Sequence, residues 1–422
     1  MSARAAWVAA ACYGCLLLAL STRLPLWLDE VLTLAGAAQP DLGSLLVNLE
    51  QQQGATPLAF LIPHAIVRVW GVSLLSARAA SVVASALSLP AVHRLARFAG
   101  LRWPAACLLL FAVWPLQLRY GLEARPYALA LCLSAWASVA FLERWRPPIY
   151  AALVAAIALA HPYGLAMPLA HLLWSWRWRP DQRSVALHSL AAAVALLAPW
   201  YAYFSAGWRA ISAEQNLAAF NWRGVLVWAH EIAGTGYAGT ALLLAGALAG
   251  LRRLPLPGLW GAMAATPLIA VPLANALFAY FFAVRQTIYA LPALAVLFTG
   301  GAERGRWRWI GAVLLAAMLY EDVRWFGKPH EDWQAAAAAL RREAQAGACV
   351  WFLDESRRAY LFYQPELERR LCRPGAPRVA LALSPYGSAD RYPRLAAALE
   401  QQGLRKISTQ SFAGPRIEVF AQ

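Results

Sequence analysis

The chain has 422 residues, 60% of them hydrophobic and only 14% charged, and its mean hydropathy is +0.47. A soluble domain carries roughly 25% charged residues, so the composition excludes an ordinary soluble protein and points to one that crosses a membrane many times. The net charge of +15 would suit nucleic acid, but the arginines fall in short clusters between apolar runs. That is the pattern of the positive-inside rule, and a nucleic-acid partner is discounted.

The first apolar run covers residues 7–24, with Arg4 before it and no small-residue cleavage site after it. It reads as a retained signal-anchor with its N-terminus in the cytoplasm. It opens onto the stretch LWLDEVLTL at residues 26–34, where Asp29 and Glu30 stand side by side. Acids at the mouth of a membrane segment face water, a cavity or a partner, because a charge at bilayer depth costs a few kcal/mol or more. Residues 39–53 are polar and amphipathic. Residues 56–71 are apolar but interrupted by Pro57, Pro63, His64 and Arg68. This reads as an interfacial helix rather than a span, so residues 25–73 form a first outer loop.

Further runs follow at 74–95, 104–118, 127–142, 149–160, 165–176, 185–204, 238–251, 259–282, 286–300 and 309–320. With the first, they make about eleven transmembrane helices. The clusters Arg94/Arg97/Arg102, Arg144/Arg146, Arg177/Arg179/Arg183, Arg252/Arg253 and Arg304/Arg306/Arg308 then all fall on the cytoplasmic side. Counting 56–71 as a span would send them outside. Trp27, Trp103, Trp114, Trp145 and Trp178 sit near run ends, as interfacial aromatics do.

From residue 321 charge rises and long apolar runs stop. A helix is expected over 332–345, strands over 349–353, 378–383 and 416–420, and a helix over 392–402 with Gly403 as its cap. The expected fold is an all-α polytopic membrane domain, residues 1–320, with a small α/β extracytoplasmic domain, residues 321–422. Cys12, Cys15, Cys107 and Cys132 lie in apolar runs as small hydrophobes. Parity puts Cys349 and Cys372 in an oxidising compartment, where a disulfide is open to them, though two free thiols are the expectation. No zinc-ligand spacing is present.

Four features meet on the outer face: Asp29–Glu30; the loop RYGLEARPY at 119–127 with Glu123, Arg125 and Tyr127; HPYG at 161–164 with His161 and Tyr163; and Arg285, heading RQTIYALPALAVL. Each alone has a bland reading. The acids could be a solvated loop start, Glu123 and Arg125 a local ion pair, His161 a helix-end hydrogen-bonder, and Arg285 an interfacial anchor. Together they make a cavity with carboxylates, guanidiniums and an imidazole. Guanidinium forks suit phosphate oxygens, and a carboxylate suits removal of a hydroxyl proton. The combination fits transfer from a lipid phosphate at the membrane surface. A divalent metal at Asp29–Glu30 is not favoured, since no third acidic ligand is evident; no cofactor is expected.

The order of LWLDEVLTL, TPL, VWG, SARAAS, EARPYAL, HPYGL, RQTIYALPAL and DWQAAAAAL resembles the GT-C polytopic glycosyltransferases, in particular the protein O-mannosyltransferase and aminoarabinose-transferase branch. The resemblance covers residues 7–340. It implies a polyprenyl-phosphate sugar donor, a site on the outer side of the bacterial inner membrane, and inversion at the anomeric carbon. It implies Asp29 as general base, Glu30 as assistant or orienter, Arg125 and Arg285 on the phosphate, and His161 and Tyr163 lining the sugar or acceptor pocket, with Glu123 and Tyr127 beside them. The chain departs from that pattern in its short tail and in a single proline at position 57. A lipid or polysaccharide transporter is the alternative; it predicts charges within helices, broken helices and an internal repeat, and few such charges and no repeat are seen. A scaffold role would leave the outer charges unexplained. The sugar stays open, and so does the acceptor: an envelope glycolipid, glycan or protein.

Overall fold

The computed structural model describes residues 1–50, 56–214, 222–277, 282–303, 307–353, 357–385 and 391–422. Arg304 and Arg306, Gln51–Gln53, and parts of the loop 205–237 and of the run 259–282 lie outside the described residues. The helices, in chain order, are α1 (Ala3–Ser21), α2 (Leu28–Ala37), α3 (Leu42–Glu50), α4 (Pro57–Trp70), α5 (Leu74–Phe98), α6 (Pro104–Ala112), α7 (Pro115–Gly121), α8 (Tyr127–Leu142) and α9 (Pro147–Ala160). Then come α10 (Ala166–Trp178), α11 (Pro180–Glu214), α12 (Trp222–Glu231), α13 (Gly236–Leu251), α14 (Pro257–Leu277), α15 (Leu291–Ala302) and α16 (Trp307–Phe326).

Among the described residues four helices are long and apolar enough to cross a membrane: α1, α5, residues 180–202 of α11, and α14. A fifth candidate is α12 with α13, bent by 72° at their junction. Length is what separates this from the expected eleven. Helix α8 has 16 residues, about 24 Å at 1.5 Å per residue, against a hydrocarbon core of about 30 Å. Prolines shorten the rest. Pro115 divides the run 104–118 into α6 and α7, because the residue before a proline is pushed out of the helical region. The run 286–300 is a 3-10 turn, Val284–Ala290, followed by α15. The segment read as interfacial is α4, 14 residues long, with Pro57 in its first turn.

Helix α5 is the axis of the bundle, packed against α1 on one side and α8 on the other. Its first turn is capped by Ser73, whose Oγ accepts from the Ser76 amide at 3.0 Å. Helices α13 and α15 approach so closely that a Cβ on Gly301 would lie 2.1 Å from the Gly246 carbonyl oxygen, a small-residue contact of the kind membrane helices use.

The C-terminal segment folds as expected into a small α/β unit. It adds α17 (Trp333–Gln345), β1 (Cys349–Phe352), α18 (Arg357–Tyr363), β2 (Arg378–Leu383), α19 (Tyr392–Gln401), β3 (Arg405–Ser411) and β4 (Arg416–Ala421). The sheet order is β1-β2-β4-β3, with β1 parallel to β2 and the other pairs antiparallel. Gly403 follows α19 with φ 82°, the left-handed conformation of a helix stop. Strand β3 was missed in sequence because RKISTQS is an edge strand with mostly polar side chains and little alternation.

One expectation is corrected here. Cys349 and Cys372 are not free thiols but a disulfide, with Cα atoms 4.8 Å apart. The segment after α18 returns alongside β1 through a bridge between Val350 and Leu371, and the Cys372 amide donates to the Val350 carbonyl at 3.0 Å. A separation of 23 residues says nothing of this return in the sequence itself.

The unit does not hang free of the bundle. One apolar core joins Leu26, Val31, Leu34 and Ala37, around α2, to Trp333, Leu340, Tyr360 and Ile417 of the C-terminal unit.

Candidate active site

Asp29 and Glu30 occupy the first turn of α2, a favourable place for acids because the helix N-terminus carries partial positive charge. Their environments differ sharply. Glu30 is fully buried, and each of its oxygens is doubly occupied. Oε1 accepts from Arg78 Nε at 2.8 Å and from the Ala124 amide at 2.7 Å; Oε2 accepts from Arg78 Nη2 at 2.7 Å and from the Trp27 amide at 3.3 Å. Arg78, 2% exposed, spends its remaining N–H groups on the carbonyls of Ser21, Leu24 and Pro25 at 2.6, 2.8 and 2.9 Å. Every donor of the guanidinium and four acceptor positions of the carboxylate are thus used. Glu30 is a strut. It ties the end of α1, the start of α5 and the EARPY loop to α2, and has no lone pair free for a substrate proton.

Asp29 is the accessible acid of the pair. Its side chain is 31% exposed, and its Oδ2 lies 3.4 Å from Arg125 Nη2. Arg125 also reaches Thr33 Oγ1 at 3.5 Å, its carbonyl accepts from Ser81 Oγ at 3.1 Å, and its Nε is buried without a hydrogen-bond partner among the described residues. Thr33 is itself fixed, donating to the Asp29 carbonyl at 2.8 Å.

The arginine found two residues before Tyr127 has a counterpart in the same neighbourhood. Arg285, in the 3-10 turn ahead of α15, donates through Nε to the Tyr127 hydroxyl at 3.1 Å, with its guanidinium carbon 5.9 Å from that ring's centre. Tyr127 packs against His161 at 5.0 Å between ring centres, and His161 against Tyr163 at 5.5 Å. Tyr289 and His161 Nδ1 are hydrogen-bonded at 2.8 Å. Gly164 makes this fit: a Cβ there would lie 2.6 Å from Ile157 Cγ2 and 3.4 Å from the Tyr289 ring. The Tyr163 hydroxyl donates to Asn275 of α14, whose amide donates to Gln286 at 2.7 Å.

Burial, reinforced by Arg125 and Arg285, pushes the His161 imidazole down to about 3, so it is neutral. The positive charge of the cavity therefore comes from the two guanidiniums. Glu123 moves the other way. Burial, then the charge of Glu30, raise its carboxyl to about 8 against the opposing pull of Arg285 and Arg125. Its Oε2 has no hydrogen-bond partner among the described residues. It stands protonated near neutral pH, as a hydrogen-bond donor beside the arginines rather than a second anion.

The eight residues singled out in the sequence thus lie in one neighbourhood: Asp29 pairs with Arg125, Tyr127 meets both Arg285 and His161, His161 packs on Tyr163, and Glu123 feels the charges of Glu30, Arg285 and Arg125. Sequence reasoning missed Arg78, Tyr289, Asn275 and Gln286. Arg78 carried a signal, as a lone charge in the first turns of an otherwise apolar helix. The others are ordinary residues of apolar stretches. Among the described residues, no three His, Cys, Asp or Glu side chains gather as they would around a metal ion.

No protein-family model and no curated protein matches this sequence. Two solved structures do match in fold. ArnT from Cupriavidus metallidurans bound to undecaprenyl phosphate has a TM-score of 0.58 at 12% identity, over 98% of this chain and 97% of that one. The same protein in its apo state has a TM-score of 0.59 at 12% identity, over 99% and 98%. The likeness spans both the helical bundle and the C-terminal unit. ArnT belongs to the GT-C aminoarabinose-transferase branch, and its fold is the one seen here.

Proposed function

We propose that this chain is a membrane glycosyltransferase. It would move a sugar from a polyprenyl-phosphate carrier to a hydroxyl of a cell-envelope glycolipid, glycan or protein, at the outer face of a bacterial inner membrane. The observation that carries the reading is one accessible carboxylate, Asp29, paired with Arg125, with a second guanidinium, Arg285, held on Tyr127 two residues beyond Arg125. The fold shared with a protein seen bound to undecaprenyl phosphate supports the lipid carrier. The Cys349–Cys372 disulfide supports an oxidising compartment for the C-terminal unit, and hence the outer face. The eleven-span topology is retained within this proposal, with short, proline-broken helices as several of its spans.

The chemistry needs three acts. The acceptor hydroxyl is held in line with the anomeric carbon. Asp29 takes its proton as the new C–O bond forms. The bond from the anomeric carbon to the phosphate oxygen breaks with its electron pair going to phosphate, inverting the centre. Arg125 and Arg285 neutralise the charge left on the lipid phosphate, which is most negative once the sugar has gone. Neutral His161 and protonated Glu123 add hydrogen bonds without adding charge of the wrong sign.

Arg125→Lys and Arg285→Lys should each weaken binding of undecaprenyl phosphate to the detergent-purified protein by about tenfold. Each keeps a charge but loses a planar fork, and a charge-assisted hydrogen bond is worth about 1.5–3 kcal/mol. Unchanged affinity in Arg125→Ala and Arg285→Ala would reduce both to interface anchors. For orientation, a reporter active only outside the cytoplasm should work when fused after Tyr320 and stay silent after Arg306. The reverse pattern would remove every residue named here from the outer face.

A further inference from the structure

The helix that carries Asp29 lacks an ordinary N-cap. Its N-cap residue is Trp27, whose side chain offers no acceptor, and helices beginning without Ser, Thr, Asp or Asn lose a stabilising contact to their first free amides. Two carboxylates meet the first amides instead, one from within α2 and one from far along the chain. Glu30 takes the Trp27 amide, as described. Glu331, 303 residues further along the chain, takes the next one: its Oε2 accepts from the Leu28 amide at 3.1 Å.

Glu331 is itself held in place. The same oxygen accepts from Trp333 Nε1 at 2.8 Å. The neighbouring Asp332 amide donates to the Phe412 carbonyl at 3.1 Å, at the turn between β3 and β4. Gly414, in that turn, has no side chain where one could not fit: a Cβ there would lie 2.7 Å from Glu331 Cγ. The contact runs without a break from the sheet to Glu331, to the first amide of α2, to Asp29 one residue on.

We propose that Glu331 is a positioning residue for Asp29, and that the C-terminal unit's part in the reaction is to cap and aim the helix bearing the general base. The proposal rests on the transferase reading for its consequence, but its structural half can be tested without any turnover. In the full-length protein in detergent, Glu331→Ala should speed amide hydrogen exchange across residues 28–31 by about tenfold, the scale of losing one N-cap. Turnover should fall by a similar factor while affinity for undecaprenyl phosphate is unchanged, since the guanidiniums are untouched. Glu331→Gln keeps an acceptor oxygen of the same reach and should restore both. Gly414→Val leaves Glu331 chemically intact but displaces it, and should reproduce the Glu331→Ala exchange pattern. Unaltered exchange in Glu331→Ala, no rescue by Glu331→Gln, or a loss of lipid affinity in step with turnover would each overturn the positioning role. If the wild-type chain transfers no sugar, the transferase reading fails, and the exchange results alone then decide whether Glu331 caps the helix.

Discussion

Asp29→Asn is expected to lower turnover at saturating lipid donor by about 10²–10⁴-fold, the worth of a positioned general base, while leaving folding and donor binding intact. The asparagine keeps the shape and can still meet Arg125, but it accepts no proton. Its site is about a third open, at 31% side-chain exposure, so the substitution buries no new polar group. Asp29→Glu should also be poor, because the longer side chain moves the carboxylate by roughly a bond length and in-line attack is sensitive to such displacements. Single-turnover measurements with preloaded donor separate chemistry from binding. A near-normal rate for Asp29→Asn would remove the general-base mechanism outright.

Glu30→Gln and Arg78→Met should instead strike stability. Removing one member of a buried ion pair leaves the other charged and unpaired, at a cost of about 3–5 kcal/mol. Here Arg78 also satisfies three carbonyls between Ser21 and Pro25, and Glu30 the amides of Trp27 and Ala124. Each single substitution should therefore lower the thermal midpoint in detergent sharply and reduce the yield of folded protein. The double variant should be less damaged than the sum of the two, since removing both charges removes the unpaired one. Strictly additive losses would mean that Glu30 and Arg78 do not act as a unit. Comparison with Asp29→Asn divides the roles of two adjacent acids: one loses rate on a stable fold, the other loses the fold that places the first.

Much of this site could be read in the sequence because its chemistry needs charge, and charge stands out in an apolar chain. Asp29, Arg125 and Arg285 were visible for that reason, and the alternation of arginine clusters placed them on one side. The division of labour within Asp29–Glu30 was not visible. Spacing along a chain cannot tell which of two adjacent carboxylates meets a guanidinium from a helix 48 residues away. The Cys349–Cys372 bond was hidden likewise, since it depends on a return of the chain beside β1. Where the helices break was hidden for a physical reason: apolar composition persists through Pro115 and through the turn before α15, whereas a continuous helix does not.

The 303-residue reach from Leu28 to Glu331 also sets an order of events in biosynthesis. At about 5–20 residues per second, ribosomes need roughly 15–60 s to travel between the two positions. Throughout that interval the acid-bearing helix is without its distant cap, although its guanidinium partner Arg125 is made well before that cap. The contact to the first amide of α2 is therefore supplied by a late-made part of the chain. A chain interrupted before residue 331 would already contain Asp29 and Arg125 but lack the carboxylate that accepts from the Leu28 amide.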